Sequence, residues 1–258
     1  MIFDTHAHYD AEQFDADRDA LLRSLPEKGV GRIVDPGCDE ASSRAAVALS
    51  EKYAHVYAAV GWHPEEWESW TGESIPCLRA LAKHPKVVAI GEIGLDYYWD
   101  KEHKALQKEM LERQINLALS LSLPVIIHDR EAHEDSLEMI SRYPELRGVF
   151  HCFSGSAERA KELLRRGWYL GFDGPVTYKN NKKAAAVLSV TPLDRILVET
   201  DSPYMAPEPV RGRRNDSSNL PRVLARIAEI KGVTPEEMER VTLENSCRLF
   251  GLEIPAAR

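Results

Sequence analysis

The sequence predicts an α/β fold and, within that class, a (β/α)8 TIM barrel spanning residues 1–258 as a single domain. Three observations carry this expectation. Eight short apolar, β-branched runs recur along the chain at roughly 32-residue intervals, the size of a βα unit. Longer amphipathic stretches separate them, and strands alternating with helices require a parallel sheet covered on both faces. No GxGxxG follows the first run, which argues against the dinucleotide-binding version of an open doubly wound sheet. Eight such units in about 250 residues close a barrel.

The expected strands are Ile2–Asp4, Arg32–Asp35, Val56–Val60, Val87–Ile90, Pro124–Ile127, Gly148–Phe150, Tyr169–Phe172 and Ile196–Val198. The clearest helix runs from His103 to Ser122, with Leu106, Met110, Ile115 and Leu119 at near-helical spacing until Leu123-Pro124 ends it. Asp39 is a cap for EASSRAAVALSEKY, Ser156 for AERAKELLRRG, and Thr234-Pro235-Glu236-Glu237 opens the last helix. Gly167 follows Arg165-Arg166 as a helix stop.

Composition narrows the class. Lys+Arg 33 against Asp+Glu 41 gives −8, which excludes a globally basic nucleic-acid coat but not a local basic patch. No apolar run approaches the ~18 residues of a membrane span, and the start MIFDTHAH lacks the features of a signal peptide. Cys38, Cys77, Cys152 and Cys247 form no CxxC pair and read as reduced thiols. A cytoplasmic protein without membrane association or an implied stable protein partner is the expectation.

Catalytic residues of such barrels stand at the C-terminal ends of strands. There the sequence places Asp4-Thr5-His6-Ala7-His8, Gly61-Trp62-His63-Pro64, Gly91-Glu92, His128-Asp129-Arg130, His151-Cys152 and Glu199-Thr200-Asp201. His6 and His8 are two apart, so on extended backbone both face the barrel mouth. Imidazoles with carboxylates and no thiolate suit Zn, Mn, Fe, Ni or, with more water, Mg. His6, His8, Glu92, His128, His151 and Asp201 are too many ligands for one tetrahedral ion and about right for two ions sharing a carboxylate. Glu199 shares the face of Asp201 and is either a partner for a ligand imidazole, the favoured role, or a salt-bridged core residue. Cys152 is a bystander thiol, since neighbours on a strand face opposite ways.

The segments FDTHAHYD, GWHPEE, AIGEIGLDYY, LPVIIHDREA, GVFHCFSG and LVETDSPYMAP resemble the signature stretches of the TatD family of metal-dependent deoxyribonucleases, and RGRRN at 211–215 extends the match. The strand-four acid, Glu92, stands where many amidohydrolase relatives carry a carbamylated Lys. The resemblance implies two divalent ions per chain (Mg, Mn, Zn or Ni). His6, His8, Glu92 and Asp201 would hold one, and Glu92 would bridge to a second completed by His128 and His151. It further implies a hydrolase that cleaves DNA phosphodiesters from a 3′ end, with Asp201 as proton acceptor and His63 as a substrate-side donor. Within the family's pattern, Asp216-Ser217-Ser218 departs from the Pro that often follows Arg-Asn.

Positive charge on the late loops offers phosphate contacts. Arg211, Arg213 and Arg214 are the better candidates, whereas Lys182 and Lys183 suit an ordinary solvated helix. Arg130, two residues after His128, contacts phosphate or pairs with Glu199. Tyr97, with Tyr98, Trp99, Trp62 and Phe153, could stack on bases. The competing reading keeps the metals but changes the bond: a deacylase or amidohydrolase acting on aminoacyl-tRNA ends or small amides and esters, which ligands alone do not separate from a nuclease. A non-catalytic metal-binding barrel is disfavoured, because a structural site needs no open mouth.

Overall fold

Eight parallel strands neighbour one another in strict chain order, from the first to the last. They are β1 (Ile2–Asp4), β2 (Val30–Pro36), β3 (Val56–Val60), β4 (Val87–Asp96), β5 (Val125–Arg130), β6 (Gly148–Phe150), β7 (Tyr169–Phe172) and β8 (Ile196–Val198). The computed structural model describes residues 1–255. Thr5 N donates to Val198 O at 3.2 Å, and a parallel bridge pairs Ala7 with Ser202. These contacts carry β8 back to β1, and the sheet is a (β/α)8 barrel.

Seven crossovers each contain a helix: α1 (Arg18–Ser24), α2 (Glu40–Lys52), α3 (Ser74–Leu81), α4 (Lys104–Leu121), α5 (His133–Ser141), α6 (Ala157–Arg165) and α7 (Lys182–Val190). Two more, α8 (Leu220–Lys231) and α9 (Pro235–Phe250), follow β8. The expected caps are in place. Asp39 accepts from Ser42 N in a reciprocal capping box, Ser156 accepts from Arg159 N, and Thr234 accepts from Glu237 N. Among the described residues, no helix is long and apolar enough to cross a membrane.

Strand alternation splits the core in two. Ile2, Ala58, Val60, Ile90, Val125, Ile127, Phe150, Leu170, Ile196 and Val198 join the helices in an outer layer. Their neighbours Phe3, Val34, Ala59, Ala89, Ile126, Val149 and Leu197 form an inner cluster with Cys247, Leu249 and Phe250 of α9. The end of α9 thus closes the bottom of the barrel, with the Phe3 and Phe250 rings 5.8 Å apart. Adding two residues to an inner position climbs toward the mouth: Ile126 leads to His128, Val149 to His151, and Leu197 to Glu199 and Asp201.

Two strands run further than their apolar letters suggest. The unbroken apolar run ends at Ile90 in β4, where Ile93 and Leu95 then alternate with Glu92, Gly94 and Asp96, and at Ile127 in β5, yet pairing continues through Gly94↔His128, Leu95↔Asp129 and Asp96↔Arg130. Gly94 permits this approach: its φ of 158° suits glycine, and a Cβ there would collide with the His128 carbonyl. The extension puts Glu92, Asp96, His128 and Arg130 on rigid strand instead of loop.

Candidate active site and metal centre

At the mouth, the two oxygens of one carboxylate face two sets of donors. Glu92 Oε2 lies 3.2 Å from His6 Nε2 and 3.5 Å from His8 Nε2. Asp201 Oδ1 completes that set, 3.7 Å from each of the same nitrogens. Glu92 Oε1 lies 2.7 Å from His151 Nε2, 2.9 Å from His128 Nδ1 and 3.6 Å from His63 Nε2. All six residues expected as ligands therefore converge, each from the end of a strand.

The donor chemistry fits metal ions. His6 Nε2 and His8 Nε2 stand 3.0 Å apart, as do His128 Nδ1 and His151 Nε2 at 3.2 Å. Lone pairs crowded this closely need a shared proton or a cation between them. Burial alone would raise the Glu92 carboxyl, but the imidazoles of His151, His6 and His63 outweigh it and hold it well below the carboxylate range. It is therefore an anion with candidate metal donors on both sides. Burial, with His151 next, pushes the His6 imidazole well below its usual value, leaving it the neutral form that binds metal.

Outer partners orient the ligands. His128 Nε2 lies 3.0 Å from Asp96 Oδ2, so Nε2 carries the proton and Nδ1 faces Glu92. Burial opposes protonation of His128, but the Asp96 and Glu92 carboxylates raise it to about 10. A second proton on Nδ1 then stands where a cation would sit. Asp4, fully buried, accepts from Thr200 N at 3.0 Å, Thr200 Oγ1 at 2.7 Å and Ser217 Oγ at 2.6 Å. It ties β1 to the segment bearing Asp201. Asp201 itself has a φ of 53°, a left-handed conformation held by its N–H donating to His6 O at 2.9 Å.

His63 belongs to the same cleft with a different role. Glu65 N donates to His63 Nδ1 at 3.2 Å, so Nδ1 accepts and Nε2–H points into the site. Burial, then His128, pushes this imidazole down to about 3, which keeps it a neutral donor. Glu199 lies 3.7 Å from His151 Nδ1 and accepts from Cys152 N. It fits because Gly171 has no Cβ, which would come within 2.5 Å of the Glu199 carboxylate. Burial pushes both Glu199 and Cys152 well above their usual ranges, so neither a free glutamate base nor a thiolate nucleophile exists there. Cys38, beside His8 and Glu92, is likewise held as a thiol, pushed up to about 12 by burial.

Several expected contacts are corrected. Tyr97 is only 5% exposed, and its hydroxyl donates to Asp135 at 2.6 Å, so it packs under the loop instead of reaching substrate. Its neighbours Tyr98 and Trp99 are exposed on the turn that follows β4. Trp62 is buried, its indole N–H donating to Glu66 O and Ser69 Oγ. Phe153 lines a small cavity with Asp129, His133 and Leu137 on the helix side. Arg214 is committed to Asp17 Oδ2 at 2.6 Å and stacks on Phe14, so it is not a free phosphate ligand. Arg211 lies over the Tyr178 ring, and Arg213 is exposed. Arg130 stacks 4.0 Å from the Tyr98 ring centre and not against Glu199. Lys182 and Lys183 open α7, the solvated helix expected for them.

Asp96 is the residue the sequence reading missed. Its signal was present, since Glu92, Gly94 and Asp96 alternate on one face, but only if the strand runs past Ile90. The donors line an open cleft of about 590 Å³ with Arg130, Trp99, Tyr204 and Met205 on its walls.

Comparison with known proteins agrees with this geometry. The family model described as TatD related DNase matches residues 3–251. An uncharacterized metal-dependent hydrolase, YabD, from Bacillus subtilis is 45% identical, over 97% of this chain and 99% of the relative. The 3'-5' ssDNA/RNA exonuclease TatD of Cronobacter sakazakii is 36% identical, over 96% and 97%. Among solved structures, the TatD homolog YjjV from Escherichia coli superposes with a TM-score of 0.92 at 33% identity, covering 98% of each chain.

Proposed function

The chain belongs to the TatD-related DNase family, and from that premise we propose that it is a divalent-metal-dependent nuclease that hydrolyses DNA phosphodiester bonds from a 3′ end. The observation that carries the reading is Glu92, whose two oxygens each face a separate donor set. His6, His8 and Asp201 would hold one ion, His128 and His151 a second, with Glu92 shared. Bound there, two divalent ions supply charge for the phosphate oxygens and acidify the attacking water. The free cysteines Cys38, Cys77, Cys152 and Cys247 fit the reducing cytoplasm.

The protein's own residues divide the remaining work. Asp201, at the open side of the first donor set, accepts the proton of the attacking water as the water oxygen bonds to phosphorus and the bond from phosphorus to the leaving oxygen breaks. His63 Nε2–H donates to a phosphate oxygen across the cleft from Asp201. Arg130 adds a fixed positive charge on the wall.

The test is hydrolysis of single-stranded and duplex oligonucleotides by purified protein with Mg, Mn and Zn in turn, before and after chelation. Chelation should abolish cleavage and leave the circular dichroism spectrum intact, because the inner core is apolar and independent of the site. Cleavage of small esters or amides but of no oligonucleotide would select the amidohydrolase reading instead.

A further inference from the structure

Among the described residues, the large apolar side chains left exposed are Met1, Tyr98, Trp99, Tyr204, Met205 and Ile254. Three of the six, Trp99, Tyr204 and Met205, line one opening. Trp99, 63% exposed, and Tyr204, 54% exposed, both line the cleft that holds Glu92 and Asp201. Trp99 follows β4 and Tyr204 follows β8, and strands four apart in an eight-stranded ring stand on opposite sides of the mouth. The two aromatic side chains are thus opposed walls. Solvent-exposed rings grouped around a catalytic cleft mark a surface that substrate covers.

The charges around them assign a direction. Arg130 Cζ lies 4.0 Å from the Tyr98 ring centre and 5.5 Å from that of Trp99, a cation on the cleft side of the aromatic pair. Past Trp99 a second groove opens, and it carries Glu65, Asp100 and Glu102 against Lys101. The cleft also carries Asp10, Glu65, Glu66, Glu92 and Asp201, but cations held by its donors would offset that charge, whereas the groove offers no metal-donor set among the described residues, so a phosphate chain is drawn to the first side and not to the second. A strand can bring its end up to Trp99, but its backbone gains nothing by continuing beyond.

We propose that Trp99 and Tyr204 form a stacking gate for the terminal unpaired base of a nucleic-acid strand, which sets the adjoining phosphodiester over Glu92 and Asp201. The proposal rests on the nuclease reading and adds to it where the strand end sits. Every base offers a π face, so the gate selects an unpaired terminus and not a sequence. A paired end must first fray to enter. Trp99 and Tyr204 act as specificity residues in this scheme, apart from the ligands.

The experiment compares the metal-loaded wild type with Trp99→Ala, Trp99→Phe and Tyr204→Ala on three substrates. These are a single-stranded DNA, the same DNA with an abasic 3′-terminal nucleotide, and a short strand of abasic nucleotides alone, which has phosphodiesters but no ring to stack. Single-turnover release of the terminal nucleotide should lose about 5-fold to about 150-fold in apparent affinity with Trp99→Ala, and recover largely with Trp99→Phe. The abasic end should cost the wild type a similar factor and cost Trp99→Ala almost nothing more. An abasic nucleotide placed further inward should matter little to either. Bound metal per chain, by elemental analysis, should stay unchanged in all variants, and with Trp99→Ala the all-abasic strand should lose far less than the intact DNA. Equal losses on all three substrates would mean a disturbed metal centre, and full additivity of Trp99→Ala with the abasic end would mean that no base stacks there; either overturns the gate. A wild type that cleaves none of the three removes the nuclease reading itself.

Discussion

The two ends of this barrel are built from the same inward-facing positions and do opposite things. At the bottom, Phe3, Val34, Ala59, Ile126, Val149 and Leu197 pack with Phe250 into a dry cluster. Two or four residues further along the same strands stand His128, His151, Glu199 and Asp201, with His6 and Glu92 beside them. The bottom is stabilised by burial of apolar surface. The mouth concentrates buried ionisable groups that burial disfavours and that only pairing, shared protons or cations can offset. Stability and chemistry are thereby separated along one axis, and a change at either end should be felt mainly there.

The sharpest way to break this separation is Glu92→Ala. Losing the carboxylate shared by both donor sets should reduce hydrolysis at least ~10³-fold and lower bound metal, while the far-ultraviolet spectrum is retained. Two ions still measured by elemental analysis, with normal turnover, would remove the bridging role. Asp201→Asn keeps the shape and nearly all the ligand volume but removes the basicity. It should cost at least ~10²-fold in kcat, with oligonucleotide affinity much less affected. If turnover survives, the proton goes elsewhere.

Phe3→Ala probes the other end. Phe3 is fully buried against Phe250, so truncation should destabilise by about 3–5 kcal/mol in denaturant titration. Its kcat per folded molecule should match wild type; a kinetic loss like that of Asp201→Asn would show that the two ends are coupled. Asp96→Asn tests the outer partner of His128. Without that carboxylate the Nε2–H tautomer, which leaves Nδ1 free to face Glu92, is less strongly enforced, and metal affinity should fall about 10–100-fold, measured by competition with a chelator.

The smallest expected effect lies on the rim. Arg211→Ser with Arg213→Ser should flatten the log–log salt dependence of single-strand binding by about 1.4, or 0.7 for each real phosphate contact. Adding Arg214→Ser should change the slope no further, because that guanidinium is already paired with Asp17. Hydrolysis of a small neutral ester should ignore all three. A slope unchanged by the first two would leave the rim without a role in gripping phosphate.

Much of this was legible in the letters because it depends on short periods. Inward and outward residues alternate by two along a strand, so His6 with His8 and Glu199 with Asp201 are recognisable as pairs on one face. Caps need only local hydrogen bonds, which is why Asp39, Ser156 and Thr234 sit where expected. What composition hides is pairing that outlasts apolar sequence. β4 and β5 continue as strands through Asp96 and Arg130 because their backbones bond each other, and in the letters only the short alternation of Ile93 and Leu95 with Glu92, Gly94 and Asp96 records it. Asp96 was missed for this reason.

By itself, then, the sequence determined the repeat of strand and helix, the residue types at each strand end and the six candidate ligands that converge at the mouth. Those follow from periodicities within one segment. Only the tertiary structure decided that Glu92 divides its two oxygens between two donor sets, that His63 presents Nε2–H, and that Tyr97 and Arg214 are spent on Asp135 and Asp17. Each is a contact between residues far apart in the chain or a choice between two ring nitrogens. Such contacts are set by where the closed ring of strands brings distant side chains together, which no local period encodes.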